Sequence, residues 1–123
     1  MSIVRAATAP RFELGGTRFT VYAGPSHGSQ EICTWRLSVP AGQQSMPHTI
    51  DRDEVFMVLS GAIHLEPGGE VLGPGDSAVV PAGEKIEIGN PGDEPAEVYV
   101  ALKAGVTAYH LDGTRFGTPA WAA

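Results

Sequence analysis

Four histidines (His27, His48, His64 and His110) and one cysteine, Cys33, are the side chains of this sequence with the most accessible chemistry near neutral pH. An imidazole titrates in that range and can move a proton, ligate a metal or hydrogen-bond a ligand. His48 stands in a spaced block, GQQSMPHTIDRDEVFMVLSG: Gly42, five residues, His48, then Glu54, six residues and Gly61. A second block, GDSAVVPAGEKIEIGN, runs from Gly75 through Pro81 and Gly83 to Asn90. Nothing in the sequence supplies a recognisable nucleophile, phosphate-binding loop or cofactor motif.

Short strands must position these side chains. Sixteen Gly and ten Pro are scattered along the whole chain, which punctuates it into many small elements and favours an all-β fold. Residues 11–23 read as two strand-like pieces broken by Gly15-Gly16. Cys33, Trp35, Leu37 and Val39 then alternate with polar residues, so one face of that strand is apolar. VFMVLS, residues 55–60, has only apolar neighbours up to its last residue and reads as a central strand buried on both faces. AIHLE follows Gly61, turns at Pro67-Gly68-Gly69 and Gly73–Asp76 follow that, and SAVVP comes next. In KIEIGN, alternation puts Ile86 on the inner face. AEVYVALKA supplies one more strand. The tail holds Tyr109, His110, Phe116 and Trp121, too many aromatics for a disordered end, and is expected to pack. No helical stripe and no repeat is found. The turn spacing predicts about eight to eleven short strands.

At 123 residues the chain fits one domain, 1–123, with one compact core. A net charge of −6 repels phosphate backbones and anionic lipid, which argues against nucleic-acid partners. No apolar run is long enough to span a membrane. A single cysteine excludes an internal disulfide framework, and the amino terminus lacks the apolar run of a secretory signal, so a cytoplasmic location is expected.

The two blocks, in this order and separated by a hairpin, resemble the two motifs of the cupin superfamily, and the chain is similar to small stand-alone bacterial cupins. The resemblance implies a single-domain double-stranded β-helix, a jelly-roll-type barrel. Motif 1 would span 42–61, motif 2 75–90, and 104–123 would form a tail packed on the barrel. In metal-binding cupins the ligands are two histidines and a glutamate of the first motif and a histidine of the second. The matching positions here are His48, Ile50, Glu54 and Ile86, so two potential donors remain and no metal cofactor is expected. If a metal is bound, His48 and Glu54 would hold it with a further donor. Alternation turns His64 away from its apolar neighbours, and Cys33 reads as a small buried hydrophobe. Of the residues weighed (His27, His64, His110 and Cys33), His110 is the preferred third donor.

By the same resemblance, His48, Ile50, Glu54, Phe56 and Ile86 meet inside the barrel mouth, with Trp35 as further lining. An apolar cavity with one imidazole and one carboxyl suits a small organic molecule. The leading expectation is a metal-independent acid–base enzyme of isomerase, cyclase or eliminase type. There His48 moves a proton, while Glu54 orients its ring and stabilises the cation. The alternatives are a non-catalytic metabolite-binding or sensing module, a metal-dependent cupin with an atypical ligand set, and a barrel in which His48 and Glu54 are only a structural pair. Asp51, Arg52 and Asp53 read as a solvated loop, with Arg52 able to guard the mouth. The strand-like amino-terminal region implies a homodimer, as in many stand-alone cupins.

Overall fold

A computed structural model describes residues 1–123 and contains nine strands: β1 (Arg11–Leu14), β2 (Thr17–Ala23), β3 (Ile32–Val39), β4 (His48–Ile50), β5 (Glu54–Ser60), β6 (Ser77–Val80), β7 (Ala96–Lys103), β8 (Ala108–His110) and β9 (Arg115–Gly117). Its only helices are single 3-10 turns at Pro25–His27 and Ala120–Ala122. No helix is long and apolar enough to cross a membrane.

All the strand pairs are antiparallel and form two sheets. The larger has the order β1-β2-β3-β7-β5-β6 and the smaller β4-β8-β9. Isolated bridges widen the smaller sheet: His48 with Ile86, Gln44 and His64 each with Gly89, and Ile63 with Leu72.

Period-two alternation builds the core between the sheets. On β3, Cys33, Trp35, Leu37 and Val39 are buried, and on β7 so are Ala96, Val98, Val100 and Leu102. Register stacks them in rows, with Trp35 opposite Val100 and Val100 opposite Phe56. Burying each large side chain contributes about 1.5–3 kcal/mol. The β1–β2 turn is Gly15-Gly16, both at positive φ, as a two-residue turn matched to strand twist requires. In the tail, the Trp121 ring stacks on Phe19 at 3.8 Å.

Three expectations need correction. The 55–60 segment lies in β5, one strand in from the β6 edge, and is apolar-buried on one face only: Val55 and Met57 are half-buried and Leu59 is exposed. Its all-apolar run reflects a large sheet whose outer face also carries apolar residues, including Tyr99 and Val79. AIHLE and KIEIGN contain no continuous strand, since the turns that flank them leave room for isolated bridges alone. The 51–53 run is also more than a solvated loop. Asp51 Oδ1 accepts the Thr107 amide at 2.7 Å and Asp53 Oδ1 that of Ala82 at 2.9 Å, tying three connections together.

Candidate functional site

His48 opens β4, and its backbone N–H and C=O both bond to Ile86, at 3.0 and 2.8 Å. Across β4's other edge His48 pairs with His110 and Ile50 with Ala108. Directly opposed residues project to the same side of a sheet. Because Ile86, Ile50 and Ala108 are buried, this row faces the interior, while His48 and His110 themselves are half-buried. The Nδ1 of His48 lies 3.1 Å from the Met46 carbonyl, which can only accept, so this nitrogen carries the proton. In the neutral ring the Nε2 lone pair is therefore the free one.

Glu54 begins β5 on the inner face of the larger sheet, directly between Leu102 and Val80 in register. It is one of two buried polar residues, 6% exposed, and burial alone pushes its carboxyl up to about 8. No hydrogen bond or neighbouring cation opposes that shift. At neutral pH the side chain is therefore mainly an uncharged acid. The orienting role expected of Glu54 toward His48 falls to the Met46 carbonyl instead.

Trp35, Ile50, Phe56 and Ile86 all belong to a single buried core cluster. All four are closed off by packing, with Ile86 at 0% exposure. The Trp35 indole Nε1 is buried without a partner. Two surface depressions, of ≈ 460 and ≈ 530 Å³, lie away from Ile50, Phe56 and Ile86, although Trp35 borders the first. One is bordered by Tyr22, Met57 and Tyr99 and the other by Ile32, Val55 and Ala101, on the outer face of the larger sheet.

The remaining candidates have local partners of their own, although Cys33 belongs to the same core cluster. His64 bridges Gly89, and a Cβ there would strike its ring. Cys33 is fully buried, directs its thiol toward the Ala122 carbonyl at 3.5 Å and is pushed up in pKa by desolvation. His27 sits in the first 3-10 turn.

Asn90, the final residue of the second block, has a structural role. It is 2% exposed and spans three segments, donating to the Val39 and Glu94 carbonyls at 3.0 and 2.8 Å and accepting from the Gly92 amide.

Residues 35–102 match the cupin domain family, more than half of the chain. The protein is a cupin. Among solved structures, this cupin is similar to a sugar phosphate isomerase of the cupin superfamily from Silicibacter pomeroyi, at 25% identity over 89% of this chain and 81% of that one (TM-score 0.72). It is also similar to the polyketide cyclase RemF from Streptomyces resistomycificus, at 20% identity over 84% and 79% of the two chains (TM-score 0.71). A proposed acetylacetone dioxygenase from Methylibium petroleiphilum shares 18% identity over 100% and 95% (TM-score 0.75). The last two likenesses carry the fold alone. No curated protein matches the sequence.

Metal centres are common in the family, but the side chains of this cupin do not fit one at the motif positions. Nowhere do three or more His, Cys, Asp or Glu side chains form a group able to hold an ion. Glu54, moreover, is desolvated between aliphatic neighbours and keeps its proton.

Proposed function

We propose that this cupin binds a small, partly apolar organic molecule between its sheets and acts on it by acid–base chemistry without a metal. The supporting observation is a set of polar side-chain groups without a protein partner. The His48 Nε2 has no partner, Glu54 is a buried acid in register between Leu102 and Val80 with no hydrogen bond, and the Trp35 N–H is buried without a partner. Buried polar groups normally find partners, and a bound oxygen-bearing molecule would supply them.

For a substrate with an acidic C–H beside a carbonyl, His48 Nε2 takes the carbon-bound proton. Glu54 protonates or hydrogen-bonds the developing oxyanion. Where the carbon that lost its proton also bears a hydroxyl, return of the His48 proton to the former carbonyl carbon, with the proton of that second hydroxyl passing to Glu54, completes an isomerisation with no net change in protons. The same pair serves a cyclisation in which the carbanion attacks an internal carbonyl. The likeness to a sugar phosphate isomerase and a polyketide cyclase makes those two substrate classes the first to try.

A second reading, a non-catalytic binding module, is favoured by the tight packing of Trp35, Ile50, Phe56 and Ile86. Screening sugar phosphates and polyketide-like diketones by thermal shift, then by turnover, separates the two. Conversion by the wild type and its loss in His48→Ala with binding retained supports the enzyme. Binding by both without conversion supports the module.

The reading extends to a homodimer formed through the outer face of the larger sheet and its β1 edge. β1 pairs on one side only, and Tyr99, Val79 and Ile32 are exposed on that face.

A further inference from the structure

We propose that residues 119–123 form a latch over the β1–β2–β3 end of the space between the sheets, and that this latch opens while both sheets stay folded. The proposal concerns access to the interior and does not depend on the acid–base reading.

Coverage is the starting point. The larger sheet has six strands and the smaller three, so strands of the smaller sheet alone are too few to cover the whole inner face of the larger. On that face the buried Phe19 of β2 stands in register between Phe12 of β1 and Leu37 of β3. What lies on it is the second 3-10 turn, Ala120–Ala122, which touches β1, β2 and β3 and stacks Trp121 on Phe19 at 3.8 Å and 17°. Pro119 and Ala122 are buried, and Ala122 belongs to the core cluster. Against this turn sits Cys33, at 0% exposure. Gly24 completes the seat, since a Cβ there would lie 3.6 Å from the Ala123 carbonyl oxygen and 3.9 Å from the Cys33 Sγ.

A second, independent feature is how the turn is held. The Thr118 hydroxyl donates to the Val106 carbonyl at 2.9 Å and is the last short hydrogen bond from the tail to the barrel. Past it, the Ala122 and Ala123 amides bond inside the turn, to the Pro119 and Ala120 carbonyls. Two contacts cross to the barrel: the Ser26 amide reaches the Ala123 carbonyl at 3.4 Å, and the Cys33 thiol the Ala122 carbonyl at 3.5 Å. The first is longer than the usual range for N–H···O bonds and the second uses a weak donor. β3 and β7, by contrast, stay paired from Ile32 to Val39. The turn therefore rests on the apolar contacts of Pro119, Trp121 and Ala122. Segments held by few contacts and few good hydrogen bonds open at a lower free energy than the fold as a whole.

Opening uncovers Phe19 and Cys33 and breaks no strand pair, because residues 119–123 belong to neither sheet. A small molecule then enters from the Phe19–Cys33 end without separating two strands.

Cys33, the one thiol of the chain, reports the opening. The test is labelling of the full chain with dithiobis(nitrobenzoate), an aromatic disulfide that forms a mixed disulfide with the Cys33 thiolate and releases one coloured thiolate, over a series of low urea concentrations. The expected rate is nearly independent of urea until global unfolding begins, as for an opening that exposes little surface. Trp121→Ala should raise that rate at least about tenfold. Asn90→Ala weakens the clamp on Val39 at the far end of β3, and should leave the rate within about twofold of wild type although it destabilises the whole fold. The wild-type urea series stands even if a variant folds poorly. A rate that climbs with urea along the global unfolding curve from the outset, or equal acceleration by Trp121→Ala and Asn90→Ala, would overturn the proposal, since Cys33 would then be reached only by unfolding the barrel.

Discussion

Replacing Glu54 by glutamine should flatten the dependence of this protein's stability on pH. The carboxyl is buried at a position in register between Leu102 and Val80, and desolvation pushes it up to about 8 from an ordinary 4.5. Between those values the native state keeps a proton that the unfolded chain releases. Stability is therefore greatest below the unfolded pKa and is lost as pH rises through the folded one. The slope is about 1.4 kcal/mol per pH unit, and integration from pH 5 to pH 8 gives a loss of roughly 3.5 kcal/mol. Glutamine cannot ionise and abolishes this contribution. It also buries an amide without partners, so the informative quantity is the change with pH and not the offset at any one value. Urea unfolding of both proteins at half-unit intervals over this range, followed by tryptophan fluorescence, measures the difference. A wild-type curve parallel to that of Glu54→Gln would refute the reasoning, because it would mean that Glu54 ionises freely in the folded state.

Other perturbations report on different parts of the molecule. Gly61→Ala should cost about 2–3 kcal/mol in chemical denaturation, because Gly61 has φ +74° and a Cβ would lie 2.6 Å from the Pro95 carbonyl oxygen. Gly42→Ala, at φ +73° with open space around it, should cost about 1 kcal/mol, and equal losses at the two sites would contradict this account. Trp121→Ala removes the ring stacked on Phe19 and should lower stability by about 2 kcal/mol, read by the same unfolding assay. Asn90→Ala leaves the Val39 and Glu94 carbonyls and the Gly92 amide without their partner, and should cost about 2–3 kcal/mol in thermal unfolding. Light scattering on the purified chain should give twice the monomer mass, and Val79→Lys with Tyr99→Lys should reduce it to one if the outer face is the contact.

Much of the architecture was legible in residue order. The alternation in 32–39 and 96–103, the Gly15-Gly16 turn and the inward placement of Ile86 all follow from the two-residue period of a strand and from φ preferences of glycine, which are local properties. Paired block spacing was sufficient to indicate the cupin fold, since the glycines and Asn90 act as turns and clamps at fixed intervals along the chain. Where local composition misled, at 55–60 and 51–53, the deciding fact was a neighbour distant in sequence. An apolar run cannot say which of its faces will be covered, and an aspartate cannot say which amide it will cap.

The candidate site shows the same division. Its residue types, a histidine and a glutamate six positions apart on consecutive strands, were visible from sequence, as was the absence of donors at Ile50 and Ile86. Three features required tertiary structure: the proton on Glu54, the Met46 carbonyl that sets the His48 tautomer, and the pairing of His48 with His110. A carboxyl's pKa depends on how completely other strands exclude water from it, and the apposition of two residues 62 positions apart depends on register, which is settled by the packing of the whole sheet.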